Sequence, residues 1–173
     1  VLLVTDLDDA GTAAITTQIR SFLAEIDETD TWWGALSGAA YATVQALLEN
    51  IEEHKPDLIV TYRHLHSEAW HWPHGLGEYL DVMTQATSVP VLVLPHPDAD
   101  RALPHSVKNT DRVMAITNHL TGDSRLVNMA VTFTQPGGTC WLTHVESQPV
   151  FDRYIEAVSR IPAIDTETAR ESL

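Results

Sequence analysis

The sequence predicts an α/β fold: an open, mostly parallel sheet with helices on both faces. Two apolar runs carry most of that reading, Asp57-Leu58-Ile59-Val60 and Pro90-Val91-Leu92-Val93-Leu94-Pro95. Neither alternates as a half-exposed strand would, and both are too short for a helix, so they read as parallel strands covered on both faces. The polar, histidine-rich stretch and short helix between them form the crossover that parallel pairing requires. A third run, Val1-Leu2-Leu3-Val4-Thr5-Asp6, opens the chain with the same pattern. Ligands of open α/β sheets sit outside the carboxyl ends of the strands, so function is sought first in Thr61-Tyr62-Arg63-His64-Leu65-His66-Ser67, read as the loop after Val60.

After the opening strand, Ala13 to Ile26 reads as a helix and Trp32-Trp33-Gly34-Ala35-Leu36 as a strand. Gly38-Ala39-Ala40-Tyr41 leads into a helix with Val44, Leu47, Leu48 and Ile51 at helical spacing, which closes at Glu52-Glu53-His54-Lys55-Pro56. Asp98 to Ser106, with Pro95, Pro97 and Pro104, reads as a linker that its prolines hold extended. A new strand follows at Arg112-Val113-Met114-Ala115-Ile116-Thr117-Asn118. Asp123-Ser124 then opens a helix carrying Leu126, Val127, Met129, Ala130 and Phe133. Pro136-Gly137-Gly138 makes a turn into the strand Thr139-Cys140-Trp141-Leu142-Thr143-His144-Val145-Glu146, and the tail beyond Ile164 is polar and helix-prone. The chain divides into 1–97, a linker at 98–110, and 111–173.

An acidic residue plus strand at Asp57–Val60, followed about thirty residues later by Pro90-Val91-Leu92-Val93, resembles the end of a universal stress protein (UspA-like) domain. The helix before Asp57 fits the same pattern, and the resemblance covers roughly residues 30–95. The strand from Arg112 looks like the start of a second domain of that family, whose second strand commonly ends in a His-Val pair, as His144-Val145 does here. The resemblance implies a Rossmann-like fold in a tandem-domain protein, of which residues 1–97 lack a front portion. The chain is then expected to be a piece of a tandem protein or a processed form. Val1–Thr5 is favoured as the second strand of the first domain, with the strand at 112–117 a candidate for the missing first place. In the other placement it is the first strand, and Asp6 holds the family's adenine-contacting position.

Nucleotide-binding members carry Gly-x2-Gly-x9-Gly-Ser/Thr after the fourth strand, where glycines let backbone amides approach phosphates. Counted from Asp57, the first two glycine positions fall on Tyr62 and Leu65; counted back from Pro90, on His64 and Ser67. The third is Gly75 or Gly77, followed by Leu76 or by Glu78, whose carboxylate repels a phosphate at the helix start. In the second domain Asn118 stands where the family has aspartate; as a hydrogen-bonding side chain it serves an adenine contact or a turn equally well. Gly75, Gly77 and Asn118 are thus remnants of a nucleotide site, and ATP binding in the first domain is not expected.

Histidine fills the loop instead. Four of the chain's nine fall at His64, His66, His71 and His74, with Glu68, Trp70 and Trp72 among them. Imidazoles at this density suit Zn, Ni or Cu, although the spacing matches no established metal motif. The favoured alternative is that Trp70, Trp72 and Leu76 plug the vacated cleft, since an indole buries roughly 150–250 Å². Asp6-Leu7-Asp8-Asp9 lacks the further ligands of a Ca²⁺ loop and reads as a strand end or helix cap. No nucleophile elbow, Walker loop or zinc-protease helix occurs, and no catalytic residue is assigned.

Composition narrows the partners. With 24 acidic residues against 10 basic ones, a net charge of −14 repels nucleic acid and anionic lipid. No apolar run approaches the ~20 residues of a membrane span. The single cysteine, Cys140, forbids an intrachain disulfide, reads as a buried small hydrophobe, and fits the cytoplasm. The expected function is non-catalytic association, as a homodimer or with a protein partner, with no cofactor. The alternatives are a Zn-type sensor or enzyme built on the histidine loop, or an ATP/AMP switch with a degenerate pocket.

Overall fold

A computed structural model describes residues 1–26, 30–72, 74–97, 107–118, 124–161, 165 and 168. The chain forms two compact units, Val1–Thr110 and Asp111–Leu173. Most of the expected linker, 98–106, lies outside the described residues, as do Asp123 and all of the tail beyond Ile164 except 165 and 168.

The first unit is an α/β sandwich around a parallel four-stranded sheet. Strands β1 (Leu2–Val4), β2 (Gly34–Leu36), β3 (Ile59–Tyr62) and β4 (Val91–Leu94) lie in the order β2-β1-β3-β4, joined by α1 (Asp9–Phe22), α2 (Val44–His54) and α3 (Glu78–Ala86). Leu2, Leu3 and Val4 are all fully buried, which is why β1 reads as an unbroken apolar run. Leu2, Val4 and Ile59 share one cluster with Leu47 and Ile51 of α2 and Leu80 and Met83 of α3. The winding reverses at β1, and right-handed crossovers then put helices on opposite faces. Helix α1 begins at Asp8, whose carboxylate accepts the Gly11 N–H at 2.8 Å, so the acidic run is a helix cap.

Several expectations need correction. The opening strand pairs directly with both β2 and β3, and 112–117 does not stand between them: that strand belongs to a separate sheet. β3 runs two residues beyond Val60, so Thr61 and Tyr62 are buried strand residues. β4 is an edge strand rather than one covered all round, and Val93 is 38% exposed.

In the second unit, β5 (Arg112–Thr117) and β6 (Thr139–His144) pair in parallel, with α4 (Ser124–Phe133) between them in sequence and α5 (Gln148–Ser159) after them. Strand side chains alternate, and the register puts Met114, Ile116 and Trp141 on one exposed face. Cys140 is only half-buried, not the core hydrophobe its apolar neighbours predict. Helix α5 has no counterpart in the sequence reading, although Val150, Phe151, Tyr154, Ile155 and Val158 carry its spacing and Pro149 stands in its first turn. No helix among the described residues is long and apolar enough to cross a membrane.

Candidate functional site

The winding reverses between β1 and β3, the place in an open α/β sheet where a crevice forms outside the strand ends. Asp6 leaves β1 there. Its carboxylate accepts the Tyr62 hydroxyl at Oδ1 and the His66 backbone N–H at Oδ2, the latter at 2.8 Å, while its own N–H donates to the Tyr62 oxygen at 3.1 Å. Gly38 packs close behind: a Cβ at that position would stand 2.5 Å from the Asp6 carbonyl oxygen. Tyr41, fully buried, donates its hydroxyl to the Thr5 carbonyl at 2.9 Å. Burial first, and then the nearby Asp6 charge, hold the Tyr41 phenol well above its ordinary value, so it stays a donor.

Three rings meet beside it. His66 meets Tyr41 edge-on with centroids 5.0 Å apart and Tyr79 of α3 at 5.1 Å, while the two tyrosines lie 5.7 Å from each other. Tyr79 is held in turn by its hydroxyl, which donates to the Ala42 carbonyl at 3.1 Å. Beside them, Tyr62 stacks edge-on with His96 at 4.8 Å.

The loop after β3 is left-handed at His64 (φ +63°) and His66 (φ +55°), a conformation costing a non-glycine residue about 1–2 kcal/mol. Three of its amides are engaged within the chain. His64 N–H donates to Leu76 O at 2.8 Å, His66 N–H to Asp6, and Ser67 N–H to His64 O at 3.1 Å. A phosphate loop needs such amides free and pointing outward. Both candidate third glycines, Gly75 (φ +83°) and Gly77 (φ +88°), are left-handed. Only Gly77 touches the loop closely: a Cβ there would lie 2.8 Å from His64 Cα, whereas one on Gly75 meets nothing nearer than the His64 ring at 3.8 Å.

The four loop histidines are not brought to one point. His64 is buried, and its Nε2 has no hydrogen-bond partner. His66 stacks on tyrosines, His71 turns its Nδ1 onto the Glu68 carbonyl of its own 3₁₀ turn at 2.9 Å, and His74 is exposed. Among the described residues no three His, Cys, Asp or Glu side chains are grouped to hold a metal ion. Trp72 is 71% exposed and plugs nothing, and the Trp70 side chain lies outside the described ones; Leu76 packs against the core cluster. Asn118 is exposed just past β5, and residues 119–123 lie outside the described ones. Sequence reasoning missed Tyr41, Tyr62 and Tyr79. The available signal was a tyrosine closing an apolar strand run, one shortly before α2 and one in the first turn of α3.

No protein-family model, curated protein or solved structure matches the chain.

Two outcomes follow from the geometry. Gly75→Ala is expected to cost about 1 kcal/mol of left-handed strain, and Gly77→Ala at least ~1 kcal/mol more, because its Cβ must displace the His64 backbone. Chemical denaturation of both variants reads the difference. Tyr62→Phe leaves the Asp6 N–H without its acceptor and is expected to destabilise the first unit by about 1–3 kcal/mol by the same measurement.

Proposed function

We propose that this chain is a non-catalytic, universal-stress-type association module whose switch-point crevice is closed by its own side chains. The observation that supports it best is the Asp6 carboxylate: both oxygens are engaged by groups of the same chain, and one of those groups, the His66 amide, belongs to the loop that would otherwise face phosphates. Neither register supplies the first two glycines or the hydroxyl residue after the third that a nucleotide site of the resembled family requires, and the His64, His66 and Ser67 amides are engaged within the chain. A zinc reading is not favoured by histidines that face four different surroundings.

Association is assigned to β4, as a homodimer contact or a contact with a protein partner. Among the described residues it is the sheet edge, with no strand on its outer side, and Val93 stands half-exposed on it. The stretch 86–97 around it contains no Asp, Glu, Lys or Arg, in a chain of net charge −14. With one cysteine and such an acidic surface, the module suits the cytoplasm and neither nucleic acid nor anionic membrane.

Native mass spectrometry of the protein as isolated, then with Mg-ATP and with Zn²⁺ added separately, is expected to show a dimer that gains neither stoichiometrically. Bound adenine nucleotide or zinc would overturn the closed-crevice reading. Val93→Lys is expected to halve the mass in light scattering with the circular dichroism spectrum unchanged, since a half-exposed valine contributes little to the core. A folded variant that keeps the parent mass would rule out the β4 interface.

A further inference from the structure

In the second unit, the sheet of β5 and β6 has one covered face and one bare one. Ala115 and Ala130 are both buried where α4 packs against β5. On the opposite face Met114, Ile116 and Trp141 are between 43% and 56% exposed. Val145, one residue past β6 and equally exposed, continues their row, with its N–H bonded to the Thr117 carbonyl. Helix α5 leaves these side chains uncovered, and none of its own residues is buried. Parallel sheets ordinarily bury both faces, and a run of neighbouring exposed apolar side chains marks a contact surface. The other side chains on this face are Arg112, Thr139 and Thr143, so it carries no carboxylate. Its unit has eight acidic residues against five basic ones, whereas Val1–Thr110 has sixteen against five. A cationic partner is therefore drawn to the first unit, and the bare face suits an apolar one.

We propose that a second copy of this chain covers the face, sheet against sheet, about a two-fold axis running along the strands. That axis lays β6 of each copy over β5 of the other. Positions paired in the parallel register lie at one level: Arg112 with Thr139, Met114 with Trp141, Ile116 with Thr143. Each Trp141 indole therefore meets Met114 of the second copy, a sulfur–aromatic contact made twice. Each Arg112 faces Thr139 of the second copy rather than another Arg112, so the face meets itself without opposing like charges. Four apolar side chains a side bury less than the ~800 Å² per partner of a standard stable complex, and the pairing is accordingly weak and concentration-dependent. The contact is separate from β4 and does not depend on the crevice.

The test is sedimentation equilibrium of the full chain carrying Val93→Lys, which removes the β4 contact, at concentrations reaching the millimolar range. A reversible dimer is expected at the upper end. Adding Met114→Lys, or separately Trp141→Glu, is expected to weaken it at least tenfold with the circular dichroism spectrum unchanged. Mixing those two variants is expected to restore pairing, since the two new charges then face each other and the second Met114–Trp141 contact stays native. A chain that is monomeric at every concentration, as it is when a different protein covers the face, would overturn the proposal. A dimer that Met114→Lys leaves intact, or folded variants that do not pair on mixing, would overturn it equally. Should Trp141→Glu fail to fold, Ile116→Lys replaces it, and a dimer unaffected by that change counts against the face in the same way. The β4 reading fails separately: if Val93→Lys keeps the parent mass when dilute, that interface falls, and Met114→Lys in the native chain still decides this one.

Discussion

Burial of β1 on both faces fixes where Asp6 can be, and the crevice is organised around that point. Leu2, Leu3 and Val4 leave no freedom for the strand to shift, so the carboxylate that follows it emerges beside the end of β3 with part of its surface already out of water. A half-buried carboxylate needs donors. Tyr62 and the His66 amide are within reach because β3 pairs directly with β1, without an intervening strand. Sheet order thus sets the hydrogen-bond pattern, and the pattern engages the His66 amide of the loop after β3.

The same constraint explains the histidines' backbone. To bring the residue-66 amide back over Asp6, the chain must turn sharply just after a strand, and it does so with left-handed residues at 64 and 66. Glycine would make that turn without strain. The histidines keep it because their rings return part of the cost: His66 against two tyrosines, one edge-on and one tilted, at roughly 0.5–1.5 kcal/mol per contact, and His64 by burial beneath Gly77. Glycine is indispensable only on the other side of the contact, at Gly77, where the His64 backbone occupies the space a Cβ would take.

The sheet was legible because full burial removes polar residues from a strand, leaving runs such as Val1–Val4 and Leu58–Val60 that nothing else explains. What burial does not encode is position within the sheet. Val91–Leu94 is as apolar as β3 yet lies at the edge, and Thr139–Leu142 reads as a covered strand although Trp141 and Leu142 are exposed. The site was legible in place but not in chemistry. The loop after β3 was located by the rule for open sheets, whereas its content was misread, since tryptophan has the larger area and tyrosine was passed over. Trp72 stands outside: the 3₁₀ turn Glu68–His71, capped by Ser67, ends on it and leaves its ring exposed. Tyr41, just before α2, and Tyr79, in the first turn of α3, stand inside because the two helices contribute to one core cluster, a pairing between residues 38 positions apart that no local pattern reports.

Charge and edge geometry act in opposite directions on association. Two copies of a chain at −14 repel, and at physiological salt that repulsion is screened beyond a Debye length of about 8 Å, so only surfaces that themselves carry no charge can come into contact at small cost. Residues 86–97 carry no charged side chain and centre on β4, whose outer edge no strand among the described residues pairs. A contact of this kind gains from backbone hydrogen bonds and Val93 burial, neither of which salt weakens, while the repulsion between the rest of the two surfaces is screened away. Added salt must therefore strengthen the pairing of two such chains, the reverse of its effect on an interface held by ion pairs.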